Sequence, residues 1–152
     1  MEPSVPLLPP HKRSLAAQRL NEVAARGAFQ LPQCETCGSF SWPMHELCPR
    51  CLGDLSLNDA PRGAVLIAKT AVLAPVAPYF RNSGVAWHAG LVALAAGPSA
   101  LAFIHPEVTS GTPLTMTLLL DRAGQAVLYG APEGKMPSDD PQWREMSSPP
   151  QA

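Results

Sequence analysis

Cys34-Glu35-Thr36-Cys37-Gly38 and, with ten residues between Cys37 and Cys48, Cys48-Pro49-Arg50-Cys51 hold all four cysteines of the 152-residue chain. Two Cys-x-x-Cys knuckles at this separation can present four thiolates tetrahedrally, the number and type of ligand that Zn²⁺ prefers. The two-residue spacer lets backbone N–H groups turn toward the sulfurs and damp their charge. Gly38 eases the turn after the first pair, and Pro49 stiffens the second. A structural tetrathiolate zinc ribbon is the favoured reading of Cys34, Cys37, Cys48 and Cys51. A rubredoxin-type iron site uses the same ligands. Disulfides and a redox-active dithiol are the other readings. A catalytic zinc keeps one coordination position open, and four cysteines leave none. His45, inside the loop between the knuckles, is a spare ligand that four cysteines make unnecessary.

On the N-terminal side, Leu15, Ala16, Leu20, Val23 and Ala24 recur at helical spacing. They predict a helix over 13–28, capped by Ser14 and stopped at Gly27. The stripe is narrow and alanine-rich, so the helix must lie on something. On the C-terminal side, 58–63 reads as a short linker. Five β-like runs follow, over 64–73, 85–94, 100–105, 114–120 and 125–130. The fourth alternates, with Leu114, Met116, Leu118 and Leu120 set against Thr115 and Thr117. Asp121-Arg122-Ala123-Gly124 is a hairpin loop with glycine where positive φ is needed, and 95–99 is another tight turn. Five short strands predict a small closed barrel or a sandwich; a Greek-key OB-fold fits the count, and so does an SH3-like barrel. The domains expected are a leader and helix over 1–32, a ribbon over 33–58, a barrel over 63–132 and a flexible tail over 133–152.

Composition narrows the function. The chain is 46% hydrophobic and 15% charged, with 18 prolines and a formal net charge of -1. Residues 1–62 carry six basic and six acidic side chains, and 63–152 carry five and six, so neither half is a basic lobe. Single-stranded nucleic-acid binding is the alternative that ribbons and OB-folds raise, but it needs a cationic groove beside its aromatics. The N-terminus has no basic n-region followed by an apolar stretch. Residues 82–106 lack any Asp, Glu, Lys or Arg, but Gly97-Pro98-Ser99 interrupts them, so two buried strands are expected there and not a membrane span. The expectation is a soluble, cytoplasmic protein. No GxxxxGK[ST] or GxGxxG loop is present. His88 and His105 fall in predicted strands and read as structural, and no nucleophile–base pair is brought together by spacing. Residues 75–84 form an apolar loop between the first two barrel strands. Tyr79, Phe80 and Arg81 are its candidate contacts with a partner or an acyl chain, against the plainer reading of a loop folded over the barrel end. Arg62 and Lys69 are candidates to face a phosphate, with solvated surface charge the plainer state.

Helix, ribbon and barrel in this order resemble the OB-fold family with a rubredoxin-like zinc ribbon known as domain-of-unknown-function family 35, which is linked to acyl-CoA metabolism. The likeness spans roughly 13–132. It is carried by Gly27, Cys34-x-x-Cys37-Gly38, Trp42-Pro43, Cys48-Pro49-Arg50-Cys51, Gly63, Gly111-Thr112-Pro113-Leu114 and Tyr129-Gly130-Ala131-Pro132. Met44 stands where the family has arginine, and Leu52 where its second knuckle ends in glycine. The resemblance implies a non-catalytic accessory subunit with structural Zn²⁺. It implies a hetero-oligomer with a thiolase-fold enzyme or a hydratase, in which the barrel helps to bind or pass an acyl-CoA thioester. It carries over no catalytic residue.

Overall fold

The computed structural model describes residues 7–147. In chain order it contains α1 (Leu15–Ala25), β1 (Gln30–Cys34), β2 (Leu55–Asp59), β3 (Gly63–Val72), α2 (Pro78–Asn82), β4 (Trp87–Leu94), β5 (Ser99–Ile104), β6 (Pro113–Leu120), β7 (Ala126–Ala131), a 3₁₀ turn (Pro137–Asp139) and α3 (Pro141–Ser147). The mainly β architecture follows the expectation: an N-terminal helix, a four-cysteine ribbon and a closed five-stranded barrel. None of the described helices is long and apolar enough to cross a membrane, and the charge-free stretch is β4, a turn and β5.

The barrel closes in the order β3-β4-β5-β7-β6. This is the Greek-key order of an OB-fold, in which the first strand pairs with both the second and the fourth. β3 achieves this through a register shift between Leu66 and Ala68, which bends it from β6 toward β4. Period-two alternation then sends Leu66, Val92, Ile104, Leu114, Met116 and Leu118 inward, each at most 4% exposed. Gly90 makes room for them: a Cβ there would stand 2.6 Å from Ile104 Cγ1 and 2.7 Å from Leu66 Cδ1. α1 lies against β6 and β7 and adds Ala16, Leu20 and Val23 to the same core. Ser14 caps it as expected, its Oγ accepting from the Ala17 N–H at 3.1 Å, although the helix is shorter than 13–28 at both ends.

A second apolar cluster sits on the outside of the barrel. Trp87 of β4, Val127 and Tyr129 of β7, Tyr79 of α2, and Trp143 and Met146 of α3 are buried together, with Phe80 and Phe103 packed against them. This corrects the reading of 133–152 as a flexible tail for the part that is described. Residues 137–147 form the 3₁₀ turn and α3, and the three-residue step from Trp143 to Met146 puts both on one helical face. Residues 148–152, like residues 1–6 of the leader, lie outside the described residues. The linker is also shorter than expected, because β2 runs through Asp59 and the ribbon already begins at Gln30.

Candidate metal centre

Each knuckle repeats one set of backbone hydrogen bonds. Cys34 N–H donates to Ser39 O at 2.9 Å and Cys48 N–H to Gly53 O at 2.8 Å. Gly38 N–H donates to Cys34 O at 3.0 Å and Leu52 N–H to Cys48 O at 2.9 Å. In the same places, the Thr36 and Arg50 N–H groups point at the Cys34 and Cys48 sulfurs at 3.3 and 3.4 Å. The knuckles are joined by β1 and β2, paired from Gln30↔Asp59 to Cys34↔Leu55, and by isolated bridges Gln33↔Phe40 and Leu47↔Asp54.

All four sulfurs lie within 4.8 Å of one another. Cys34 Sγ is 3.4 Å from Cys51 Sγ, and Cys37 Sγ is 3.8 Å from Cys48 Sγ. Zn–S bonds of about 2.3 Å in a tetrahedron require sulfur–sulfur edges of about 3.8 Å, so the donor set fits that ion in number, type and spacing. The environment favours thiolates at two positions. The Ser39 hydroxyl, 2.9 Å from Cys37 Sγ, brings that thiol down to about 6. The Arg50 amide lowers Cys48. Cys51 goes the other way: although the Gly53 amide pulls it down, the crowding Cys34 sulfur and burial push it up to about 11. Sulfurs packed this closely without a cation oppose one another's ionisation, which is the charge a divalent ion would neutralise. His45 is exposed, and the ligand group consists of the cysteines alone.

Two features of this turn pair escaped the spacing argument. Gly53 has no room for a side chain: a Cβ would lie 2.9 Å from Cys34 Sγ and 2.8 Å from Thr36 Oγ1. Leu52 occupies the position equivalent to Gly38 and shares its left-handed backbone, with φ of 63° against 75°. Leu52 is 73% exposed, so its side chain contributes little burial to offset that strain. Leu52→Gly is therefore expected to stabilise the metal-loaded protein by about 1 kcal/mol, read as a raised thermal midpoint. A fall in the midpoint would show that the leucine packs in a way its exposure conceals.

The other expected site residues are dispersed. Tyr79 is 5% exposed, with its hydroxyl donating toward Glu145 O and Oε1 at 3.2 and 3.3 Å. Phe80 stacks edge-on to Trp87 at 4.9 Å and is half-buried, and Arg81 is exposed. The loop 75–84 folds over the barrel through α2, because its aromatics remove more apolar surface from water by turning inward than by standing out. The plainer reading thus describes Tyr79, which cannot serve as a free contact. The Arg62 guanidinium donates to Gly27 O at 3.1 Å and lies 5.6 Å over the Phe29 ring, and Lys69 Nζ donates to Pro106 O at 2.7 Å. His105 is buried, its Nδ1 accepting from the Glu107 N–H, and the His88 backbone N–H donates to Gln142 Oε1.

Residues 22–57 match the family model of the ChsH2 rubredoxin-like zinc ribbon domain. Among solved structures, a chain of the Ltp2-ChsH2(DUF35) aldolase is 17% identical with a TM-score of 0.66, covering 81% of this chain and 98% of that one. A DUF35-family protein of unknown function from Sulfolobus solfataricus is 12% identical with a TM-score of 0.54, covering 78% of this chain and 86% of that one. At these identities the likeness is one of fold. No curated protein matches the sequence. The ribbon and the DUF35-like fold implied by the motifs are thus both found.

Proposed function

We propose, from a ChsH2-type ribbon continuous with a DUF35-like barrel, that the chain is a non-catalytic accessory subunit that associates with a thiolase-fold enzyme or a hydratase and assists binding or transfer of an acyl-CoA thioester. The observation that carries the reading is the ribbon match over 22–57, set in a fold shared with a chain of an aldolase that is named as a pair of components. Cys34, Cys37, Cys48 and Cys51 would hold Zn²⁺, which when bound supplies structural cross-linking at a saturated coordination sphere. Ser39 and the amides of Thr36 and Arg50 orient and partly neutralise the sulfurs. A reducing, cytoplasmic setting keeps such thiols available for metal.

Surface character supports the same reading. Val65, Ile67, Leu91 and Leu101 stand on the outer face of β3, β4 and β5 at 36–73% exposure. An uncharged apolar sheet face of this kind suits a lasting protein partner better than water. The net charge of -1 gives no comparable support to nucleic-acid binding.

The test is co-expression of the full chain with the thiolase-fold enzymes and hydratases of its source. The expected result is a stoichiometric hetero-oligomer in size-exclusion chromatography with light scattering, whose acyl-CoA turnover falls when the accessory chain is omitted. Elution as a separate species beside every such enzyme would overturn the proposal.

A further inference from the structure

Only the first half of β3 is closed on both sides. Gly63 to Val65 pair with β6, and Leu66 still bonds the loop before it, its N–H donating to Thr112 O at 3.1 Å and its carbonyl accepting from the Gly111 N–H at 2.7 Å. From Ala68 to Val72 the strand pairs with β4, and its other edge has no backbone partner among the described residues. The polar groups on that edge follow from the ladder. Hydrogen-bonding direction alternates along a strand, and the register shift between Leu66 and Ala68 inserts one extra residue. Leu66 faces away from β4, so Lys69 and Ala71 do as well. β4 gives the same answer from its own side: the His88 N–H turns to Gln142 Oε1, away from β3, and His88 stands opposite Ala71. Lys69 and Ala71 thus each hold out an N–H and a C=O. The Thr70 hydroxyl, 3.2 Å from Ala71 O, takes up one lone pair and leaves the other. Thr70, Ala71, Val72 and Leu73 are all exposed, Leu73 at 93%. Lys69 is the single charged residue in 63–80, and its Nζ is turned back onto Pro106 O at 2.7 Å.

An open, nearly uncharged strand edge is a template for another strand. We infer that two copies of the chain associate through it, β3 pairing antiparallel with its twin about a two-fold axis at Thr70. The edge is complementary to itself about that residue. Lys69 meets Ala71 of the second copy, and Ala71 meets its Lys69, which together make four backbone hydrogen bonds. The two Thr70 side chains face one another in the closely spaced pair between them. Val72 meets Ala68, and Leu73 comes alongside Ile67, each contact occurring twice by symmetry. A strand of unrelated sequence could use the same polar groups, but it would not account for apolar residues placed at equal distances on both sides of Thr70. The bulge at Ile67 ends the straight edge, and two paired edges consume one another, so association stops at a dimer. The dimer needs no partner enzyme, so its test is separate from that of the accessory role.

The experiment measures the mass of the full, metal-loaded chain alone by light scattering over a rising concentration series. The mass is expected to climb from 16.1 kDa toward twice that value. Over the same series amide exchange should slow at Lys69 and Ala71 but not at Thr70 and Val72, whose N–H groups already bond β4. Thr70→Glu and Thr70→Lys each set like charges across the axis, and each should hold the chain at single mass where the parent is doubled. Thr70 is exposed, so both variants should melt as the parent does at dilution. Mixing the two variants in equal amounts should restore the doubled mass, because opposite charges then meet. Single mass at every concentration, a dimer that survives either Thr70 variant, or a mixture that stays at single mass would overturn the inference.

Discussion

Removing the metal with a chelator, or replacing Cys48 by serine, is expected to unfold the ribbon over residues 30–59. This is the largest single effect the structure predicts. The ribbon has little else to hold it: β1 and β2 are five residues each, and an isolated two-stranded sheet is marginal in water. Among the described ribbon residues, Leu31, Cys34, Met44 and Cys48 are its buried hydrophobics. Structural zinc contributes roughly 10–16 kcal/mol of binding free energy at neutral pH in small ribbons, as much as a whole domain's usual net stability of about 5–15 kcal/mol. Cys48 is the sharper choice because it is fully buried and its amide closes the second knuckle on Gly53. The damage should spread, since Leu31 and Met44 pack in the same core as α1 and the barrel strands, with Phe40 and Trp42 against them. Metal uptake displaces thiol protons, so acid should produce the same unfolding as the chelator. Native mass spectrometry would report one bound ion lost. Hydrogen exchange would report loss of protection at the Cys34 and Cys48 amides. Retention of that protection in the metal-free chain would show that the sulfurs are held by packing alone.

Much of this architecture was legible where side-chain period and turn chemistry agree. The five barrel strands emerged within two residues of their ends because Leu114, Met116 and Leu118 alternate with threonines and because Gly97 and Gly124 mark turns; both glycines have positive φ. The ligand set was legible because metal geometry dictates cysteine spacing. β1 and β2 were not, because Gln30-Leu-Pro-Gln-Cys34 is too short and mixed to show a period and is ordered by the knuckle it feeds. α2 and α3 hid in proline-rich stretches whose composition resembles disorder. The signal that could have found them is proline at the first helical turn, present at Pro78 and Pro141, followed by aromatic residues on one face. The parallel pairing of β5 with β7, which completes the barrel, was out of reach, because it joins strands separated by β6 in sequence and no turn marks it.

Asp140→Ala is expected to cost about 3 kcal/mol and to release α3 from the barrel. Asp140 is 0% exposed and sits at the junction of the 3₁₀ turn and α3. One carboxylate oxygen accepts from the Tyr129 hydroxyl at 2.7 Å and from Gln142 Nε2 at 3.0 Å, and the other accepts from the Gln142 N–H at 2.9 Å. Gln142 in turn donates to Ile104 O at 3.0 Å and accepts from the His88 N–H, so three barrel strands are tied to the C-terminal segment through two side chains, Asp140 and Gln142. A carboxylate is expensive to bury, and deleting it removes that cost; but Tyr129, 1% exposed, is then left with an unpartnered hydroxyl, and each such buried donor costs about 1–3 kcal/mol. The loss of α3 would also uncover Trp87, Val127 and Tyr129, exposing apolar surface now covered by Trp143 and Met146. Burial, and then the adjacent Asp140 carboxylate, hold the Tyr129 phenol well above its ordinary value. The folded protein therefore resists an ionisation that the unfolded chain undergoes freely, and alkali above the ordinary phenol value destabilises the fold. Tyr129→Phe should remove that alkaline sensitivity while costing less than Asp140→Ala, because Gln142 still supplies two donors to the carboxylate. Denaturant midpoints would rank the variants, and hydrogen exchange at His88 would report the detachment of α3. A midpoint for Asp140→Ala within about 0.5 kcal/mol of the parent, the range of an ordinary surface change, would show that the C-terminal segment is held by Trp143 and Met146 and not by the buried carboxylate.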